Sequence, residues 1–265
     1  MDTTGAARPL RIIREPKVYL VGRQVTDPGA IARFLEEHGL AWSTDTEAGA
    51  EALTEMAGRL CYLSYGKGRR TNREFLDHLI EVGHGSVLEH AVWSFVITGV
   101  SRSFTHELVR HRAGWAYSQL SQRYVNESES PYVEPDVIAD DPELHAVWSG
   151  AVDAARQAYD RLVSGLERRF AGEADGTLRR KLARQAARSV LPNATETRIF
   201  VTANARALRH FIEMRGSEQA DVEIRKVALQ LLDLMQRESP ALFSDYERVP
   251  LADGGQAIRT PHPKV

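Results

Sequence analysis

Three features of the sequence predict an α+β fold. Short stretches with strand character (17–21, 91–98 and 194–203) stand among much longer amphipathic helical stretches. They do not alternate as strand–helix–strand units, and no G-x-G-x-x-G turn opens a helix. No internal repeat or linker divides the chain. Residues 16–250 are therefore expected to form a single domain, between a flexible lead (1–15) and a flexible C-terminal tail (251–265).

In order, Lys17–Val21 is the first strand. Asp27-Pro28 opens a helix, with Asp as N-cap and Pro at the first position, and Gly39 ends it. A second helix runs from Asp45 or Thr46 to about Tyr62 and carries Cys61, read as a small buried hydrophobe. Gly66-Lys67-Gly68-Arg69-Arg70 lacks the context of a phosphate loop and is read as a plain loop. Thr71-Asn72-Arg73-Glu74 is a capping box for a helix that stops at Gly83, and Ser86-x-x-Glu89 reads as another.

Ala91–Thr98 is a β-branched and aromatic strand broken by Gly99, and Ser101 caps the helix leading to Arg110. Residues 128–141 read as a loop. Asp141-Pro142 starts a long helix to about Phe170, with Leu144, Val147, Val152, Tyr159 and Leu162 on one apolar face. A helix over 177–191 is stopped by Pro192. A strand over 194–203, a helix over 204–215, and a last helix capped by Ser217 and ending before Pro240 complete the chain.

The composition is that of a soluble globular protein, 43% hydrophobic and 26% charged over 265 residues. A net charge of −2 argues against a dedicated nucleic-acid binder and makes the basic clusters local. No apolar run is long enough to span a membrane, and the N-terminus lacks a secretory pattern. The single cysteine permits no intrachain disulfide and no Cys cluster for zinc. His84 and His90 are not spaced as an i, i+4 ligand pair, so no metal is expected. The cytoplasm is the expected compartment.

The chemistry-bearing stretch is Arg110–Arg123, Arg-His-Arg-Ala-Gly-Trp-Ala-Tyr-Ser-Gln-Leu-Ser-Gln-Arg. Guanidiniums grip phosphate bidentately, hydroxyls complete such a cradle, and Trp115 and Tyr117 add ring faces. That combination suits a ligand both anionic and aromatic, such as a nucleotide. A second polar block, Arg188-Ser189-Val190-Leu191-Pro192, is followed by Asn204-Ala205-Arg206 and then Arg215.

These two blocks, in this order, resemble the flavin-dependent thymidylate synthase (ThyX) family. Its signature is Arg-His-Arg, an interval, then Ser-x-Arg-Tyr, here Ser121-Gln122-Arg123-Tyr124. The stretch His84–His90 is similar to a further family segment. The resemblance covers roughly residues 50–240. It implies a mostly antiparallel central sheet flanked by long helices, a homotetramer, and FAD as cofactor. NADPH and methylenetetrahydrofolate would be co-substrates, with UMP or dUMP as the methyl acceptor.

Position by position, the resemblance implies flavin contacts from Ser86, Arg110, His111, Arg112, Asn204, Ala205, Arg206 and His210. Nucleotide contacts are implied for Glu107, Leu108, Val109, Arg110, Gln119, Leu120, Ser121, Gln122, Arg123 and Arg188. Arg215 would sit against the uracil carbonyl and N3 as the catalytic cation. Uracil C5 becomes nucleophilic as negative charge develops on the ring, and a cation placed there favours the transition state.

The chain departs from the signature once. Eight residues, Ala113–Leu120, separate Arg112 from Ser121, one more than the family interval. A longer loop containing Gly114 is expected to relax the pocket near the sugar and admit UMP, as in the family's nucleoside-antibiotic branch. The alternative is an ordinary dUMP enzyme. The non-enzyme alternative is a nucleic-acid-binding module using Trp115 and Tyr117 as stacking platforms.

Overall fold

The computed structural model describes residues 9–265. In chain order the elements are β1 (Ile12–Ile13), β2 (Lys17–Arg23), α1 (Pro28–Glu37), α2 (Gly49–Cys61) and α3 (Asn72–Glu81). A 3-10 turn (Val87–His90) precedes β3 (Val92–Ser101), α4 (Arg102–Leu108), β4 (Trp115–Gln119) and β5 (Tyr132–Val133). Then come α5 (Asp136–Ala139), α6 (Pro142–Arg169), α7 (Gly176–Ala187) and a second 3-10 turn (Arg188–Val190). The chain closes with β6 (Glu196–Asn204), α8 (Ala205–Arg215), α9 (Val222–Glu238), α10 (Pro240–Phe243), β7 (Glu247–Pro250) and β8 (Gln256–Arg259).

Four strands pair in the order β2-β3-β6-β4. Their direction follows from the partners. Ser94 bonds Thr202 through their hydroxyls at 2.8 Å, and Gly99 N–H donates to Glu196 Oε1, so β3 and β6 run oppositely. Asn204 N–H donates to Gly114 O and Leu120 N–H to Arg198 O, so β4 is antiparallel to β6 as well. Val92 N–H donates to Gln24 Oε1, and Gly22 lies against Ser94, so β2 is antiparallel to β3. The expected antiparallel sheet is present.

The sequence leads to one undivided domain, whereas the chain forms two compact units, each discontinuous in sequence. One comprises residues up to Pro16, Thr98–Glu107 and Gln119–Ile199; the other comprises Lys17–Ile97, Leu108–Ser118 and Phe200–Val265. Because β3 and β6 each contribute residues to both units, no linker composition marks the division.

The larger unit is built on the inward-facing Trp93, Phe95 and Ile97 of β3, all essentially buried, with Val201 and Ala203 of β6. Leu208, Phe211 and Ile212 of α8 and Ile224, Val227, Leu231, Leu232 and Met235 of α9 complete this core. Alternate strand residues and i, i+3, i+4 helix residues reach it as their periods require. Several helix starts follow their caps: Asp27 accepts from Ala30 N–H, Thr71 from Glu74 N–H and Asn204 from Ala207 N–H. Glu74 completes its capping box one residue upstream, accepting from Arg70 N–H.

The smaller unit packs α6 against α7, where buried Ala183 and Ala187 on one face of α7 allow close approach. Its β1 and β5 pair in parallel. Buried Glu134, just after β5, accepts from Arg14 Nε (3.1 Å) and Nη2 (2.8 Å) and bonds His145 Nδ1.

Several expectations are corrected. Residues 251–265, expected to be a flexible tail, contain β8, which pairs antiparallel with β7. Ala257, Ile258 and Val265 are buried there. Of the expected flexible lead, residues 1–8 lie outside the described residues, and Ile12–Ile13 forms β1. The strand at 92 does not break at Gly99; it continues to Ser101, with Gly99 at φ +67°, where an added Cβ would meet Glu15 O at 2.9 Å. Residues 128–141 hold β5 and α5 rather than loop alone. Ser86 makes no side-chain cap, so Ser86-x-x-Glu89 opens a 3-10 turn and not a boxed helix. The last long helix is capped by Asp221, while Ser217 donates to Met214 O. On α6 the expected apolar face is only partly buried, since Val147 is 73% exposed and Leu144 49%.

Candidate active site

In the larger unit, the candidate flavin residues converge from three places. The turn after α4 carries Arg110, His111 and Arg112. The N-terminus of α8 carries Asn204, Ala205 and Arg206, and its later turns carry His210 and Arg215. Ser86 stands at the start of the 3-10 turn, and its neighbour Gly85 lies so close to Arg206 that a Cβ would meet Arg206 Nε at 3.0 Å. Arg206 Nη1 also pairs with Glu89 Oε1 at 2.7 Å.

His111 is the hub. Arg215 Nε–H donates to His111 Nε2 at 3.1 Å, which requires Nε2 to be unprotonated. The His111 ring lies 5.7 Å from the His210 ring and 5.2 Å from that of Phe211. Burial, then the Arg215 charge and His210, push the His111 pKa down to about 4. The imidazole is therefore neutral near pH 7, a hydrogen-bonding group and not a third cation of the Arg-His-Arg stretch.

The stretch after Arg112, expected to be a longer loop, is part turn and part strand. Gly114 turns the chain at φ +73°, in a space where a Cβ would lie 2.7 Å from the Asn204 amide and 2.8 Å from Ala207 Cβ. Residues 115–119 then form β4. Trp115 and Tyr117, two apart on one strand face, stack on each other at 5.8 Å with planes 4° apart. The Tyr117 hydroxyl donates to the carbonyls of Leu108 and His111, tying strand to turn. Burial raises its pKa far above the ordinary phenol value, so it stays a donor. Trp115 Nε1–H is buried and meets no acceptor among the described residues.

In the smaller unit, Gln119–Arg123 is fixed from its own side. Arg102 Nη1 donates to Leu120 O (3.2 Å) and Thr197 Oγ1 (3.3 Å), and Gln119 Nε2 donates to Thr105 Oγ1 (3.1 Å) and Thr197 Oγ1 (3.3 Å). Ser121 Oγ accepts from Arg123 N–H at 3.4 Å. Arg184 Nη1 donates to Tyr124 O, Lys181 Nζ lies 5.1 Å from the Tyr124 ring, and Arg123 Cζ lies 5.9 Å from it. Arg188 follows in the 3-10 turn after α7. Desolvation lowers the Arg102 pKa; Glu127 works against that shift and the nearby Arg188 charge adds to it. Glu127 is buried, and desolvation raises its own pKa.

The Nε–H groups of both Arg123 and Arg184 are buried with no acceptor among the described residues. Buried guanidinium donors without acceptors are costly, and an anion satisfies them. Arg102, Lys181 and Arg184 escaped the sequence reading. Lys181 and Arg184 sit in a run of basic residues on α7, indistinguishable in sequence from a solvated helix face, and Arg102 is a lone arginine at the start of α4.

Some expected contacts are not available as side chains. Leu108 is fully buried and offers its carbonyl to Tyr117, Gln122 is buried, and Ala205 is buried with its N–H bonded to Ala91 O. Ser86, Val109, Arg110, Arg112, Arg206 and His210 are exposed, and Glu107, Ser121, Arg123 and Arg188 are half-buried.

The residues of the larger unit fit a flavin dinucleotide by the chemistry of their donors. Arg110 and Arg112 stand on the turn, Arg206 is at the N-terminus of an 11-residue helix, and a hydroxyl and the unsatisfied indole N–H of Trp115 lie in the same unit. No group of three or more His, Cys, Asp or Glu among the described residues could hold a metal. No helix among them is long and apolar enough to cross a membrane.

A family model described as "Thymidylate synthase complementing protein" matches residues 44–241. The chain is 56% identical over 235 residues to the flavin-dependent thymidylate synthase of Mycolicibacterium gilvum, covering 88% of this chain and 93% of that one. It is 54% identical over 231 residues to the flavin-dependent thymidylate synthase of Mycobacterium avium, covering 86% and 92%. Among solved structures, the UMP/dUMP methylase PolB from Streptomyces cacaoi, bound with 5-Br UMP, matches at a TM-score of 0.65. That match is 20% identical over 89% of this chain and 96% of PolB, a likeness of fold. Matched along most of its length, and carrying both arginine-rich blocks of the signature, the chain belongs to the flavin-dependent thymidylate synthase family.

Proposed function

We propose that the protein methylates C5 of dUMP reductively to give dTMP, with FAD as cofactor, methylenetetrahydrofolate as carbon donor and NADPH as reductant. The observation that carries nucleotide binding is the pair of buried, acceptorless Nε–H groups of Arg123 and Arg184, both close to Tyr124 as Lys181 is, in the unit where Arg102 lies near Arg188. Such donors suit a 5′-phosphate, with the Ser121 hydroxyl beside them.

Ser86, Arg110, Arg112, Asn204, Arg206 and His210 are assigned to the flavin, which supplies reducing equivalents when bound. The chain's own residues bind and polarise. Arg215 bonds a neutral imidazole through its Nε–H and would stabilise negative charge growing on the uracil carbonyl and N3 side. No covalent enzyme nucleophile is invoked; Cys61, expected to be buried, is instead exposed at the end of α2. Ser121 serves as a phosphate ligand.

The eight-residue interval after Arg112 is the one feature favouring UMP as a second substrate. Most of that interval, however, is strand, held by the Trp115–Tyr117 stack and the Tyr117 hydroxyl. That geometry, with the 56% identity to thymidylate synthases, supports dUMP as the principal acceptor. Self-association as a homotetramer is part of the proposal, supported by the exposed Leu144 and Val147 of α6. Parallel assays with dUMP and UMP are the test. A kcat/KM for dUMP at least tenfold above that for UMP is expected, and equal or reversed values would restore the UMP reading.

A further inference from the structure

The Gly66–Arg70 stretch, plain in sequence, is a built feature of the larger unit. Arg59, 4% exposed, lies beneath it. Its Nε pairs with Glu55 at 2.7 Å, while its Nη atoms donate to the carbonyls of Ser64 (3.1 Å), Lys67 (3.1 Å) and Arg69 (2.9 Å). Gly66 and Gly68 take φ of +67° and +77°, which lets the chain coil round the guanidinium. Glu55 is fixed in turn by Trp42 Nε1, Thr44 and Asn72. A buried cation thus draws the loop's carbonyls inward and leaves the side chains of Lys67, Arg69 and Arg70 exposed.

Those side chains line a concavity of about 480 Å³ with Trp42, Ser43 and Arg59. None of the three cations has an ion-pair partner among the described residues; Glu74 bonds only the backbone N–H of Arg70. By contrast Arg14, Arg23, Arg73, Arg156 and Arg209 pair with carboxylates. Three unpaired cations round one hollow with an indole wall suit a phosphate monoester attached to a purine nucleoside. The loop leaves the end of α2, where the Tyr62 ring stacks on His84 at 6.1 Å, two residues before Ser86.

We propose that Lys67, Arg69 and Arg70 bind the adenosine 2′-phosphate of the dinucleotide reductant, so that this loop sets a preference for NADPH over NADH. The inference rests on the proposed flavin-dependent function for its biological role, but phosphate binding at the loop can be measured without it.

The test compares the full-length protein with the triple variant Lys67→Gln, Arg69→Gln, Arg70→Gln, using 2′,5′-ADP and AMP as calorimetric probes. Wild type should bind 2′,5′-ADP at least tenfold tighter than AMP, and the variant should lose that difference while keeping its flavin spectrum. In turnover, the variant's KM for NADPH should rise about tenfold with those for NADH and dUMP unchanged. Equal affinity of wild type for the two probes, displacement of 2′,5′-ADP by oligoglutamate, or equal rises in KM for both reductants would overturn the proposal. Failure of the flavin reading would show separately, as absence of bound flavin in wild type.

Discussion

Arg215 donates its Nε–H to His111 Nε2 across 3.1 Å, joining the last turn of α8 to the turn after α4. This bond holds one N–H of the guanidinium on a neutral imidazole. Arg215→Gln should lower kcat with dUMP by about 10²–10³, with a smaller change in KM, because the charge is needed most in the transition state. Arg215→Lys should recover little, since one ammonium cannot reproduce the fork. Steady-state kinetics decide this; an unchanged kcat would remove Arg215 from the catalytic role.

The same pair predicts a titration. His111 should protonate only near pH 4, well below its ordinary value of 6.5, for reasons of burial first and the Arg215 charge second. Its folded pKa is depressed, so between about 6.5 and 4 the unfolded chain binds more protons and stability falls as pH drops through that window. Above it His111 contributes no pH dependence. NMR titration of the His111 ring should give a midpoint near 4 in wild type and a higher one in Arg215→Gln. A wild-type midpoint at 6.5 would contradict the geometry.

Gly114→Ala should disrupt the turn on two counts. The φ of +73° is unfavourable for alanine, and the new methyl would lie 2.7 Å from the Asn204 amide. Displacing Asn204 also removes the cap of α8. A loss of about 2–3 kcal/mol in urea unfolding is expected, with weakened FAD affinity. Wild-type values for both would mean that the turn is not constrained.

The C-terminal hairpin should matter to stability although it lies beyond the matched residues 44–241. Ile258 N–H donates to Gly216 O at 2.7 Å, and a Cβ on Gly216 would meet Ile258 Cδ1 at 2.5 Å. Thr260 donates to Asp245, which grips buried Arg209 of α8. Ile258→Ala should cost about 2–4 kcal/mol in denaturant unfolding. Full stability in a chain ending at Pro250 would show the contacts to be idle.

Elements with local causes were legible in the sequence. Asp27-Pro28, Thr71-x-x-Glu74 and Asp141-Pro142 place helix starts within a residue or two, because a cap is a contact between near neighbours. The Arg-His-Arg stretch and Asn204-Ala205-Arg206 were visible as motifs. What escaped depends on distant partners. Residues 251–265 look disordered until β7 pairs with β8, and Val147 looks like core until α6 turns out to leave it exposed. Arg102 and Arg184 acquire roles from Leu120, Thr197 and Tyr124, many residues away. That His111 is neutral could not be read from Arg-His-Arg; it follows from burial and from Arg215, 104 residues on.

The most direct test of the account is tritium release from [5-³H]dUMP by the purified protein with FAD, methylenetetrahydrofolate and NADPH. Release that requires the flavin, and matches dTMP formed, is the predicted result. A protein that holds FAD yet releases no tritium from dUMP or UMP would contradict the assignment of Arg215 and the arginine cluster to uridylate chemistry.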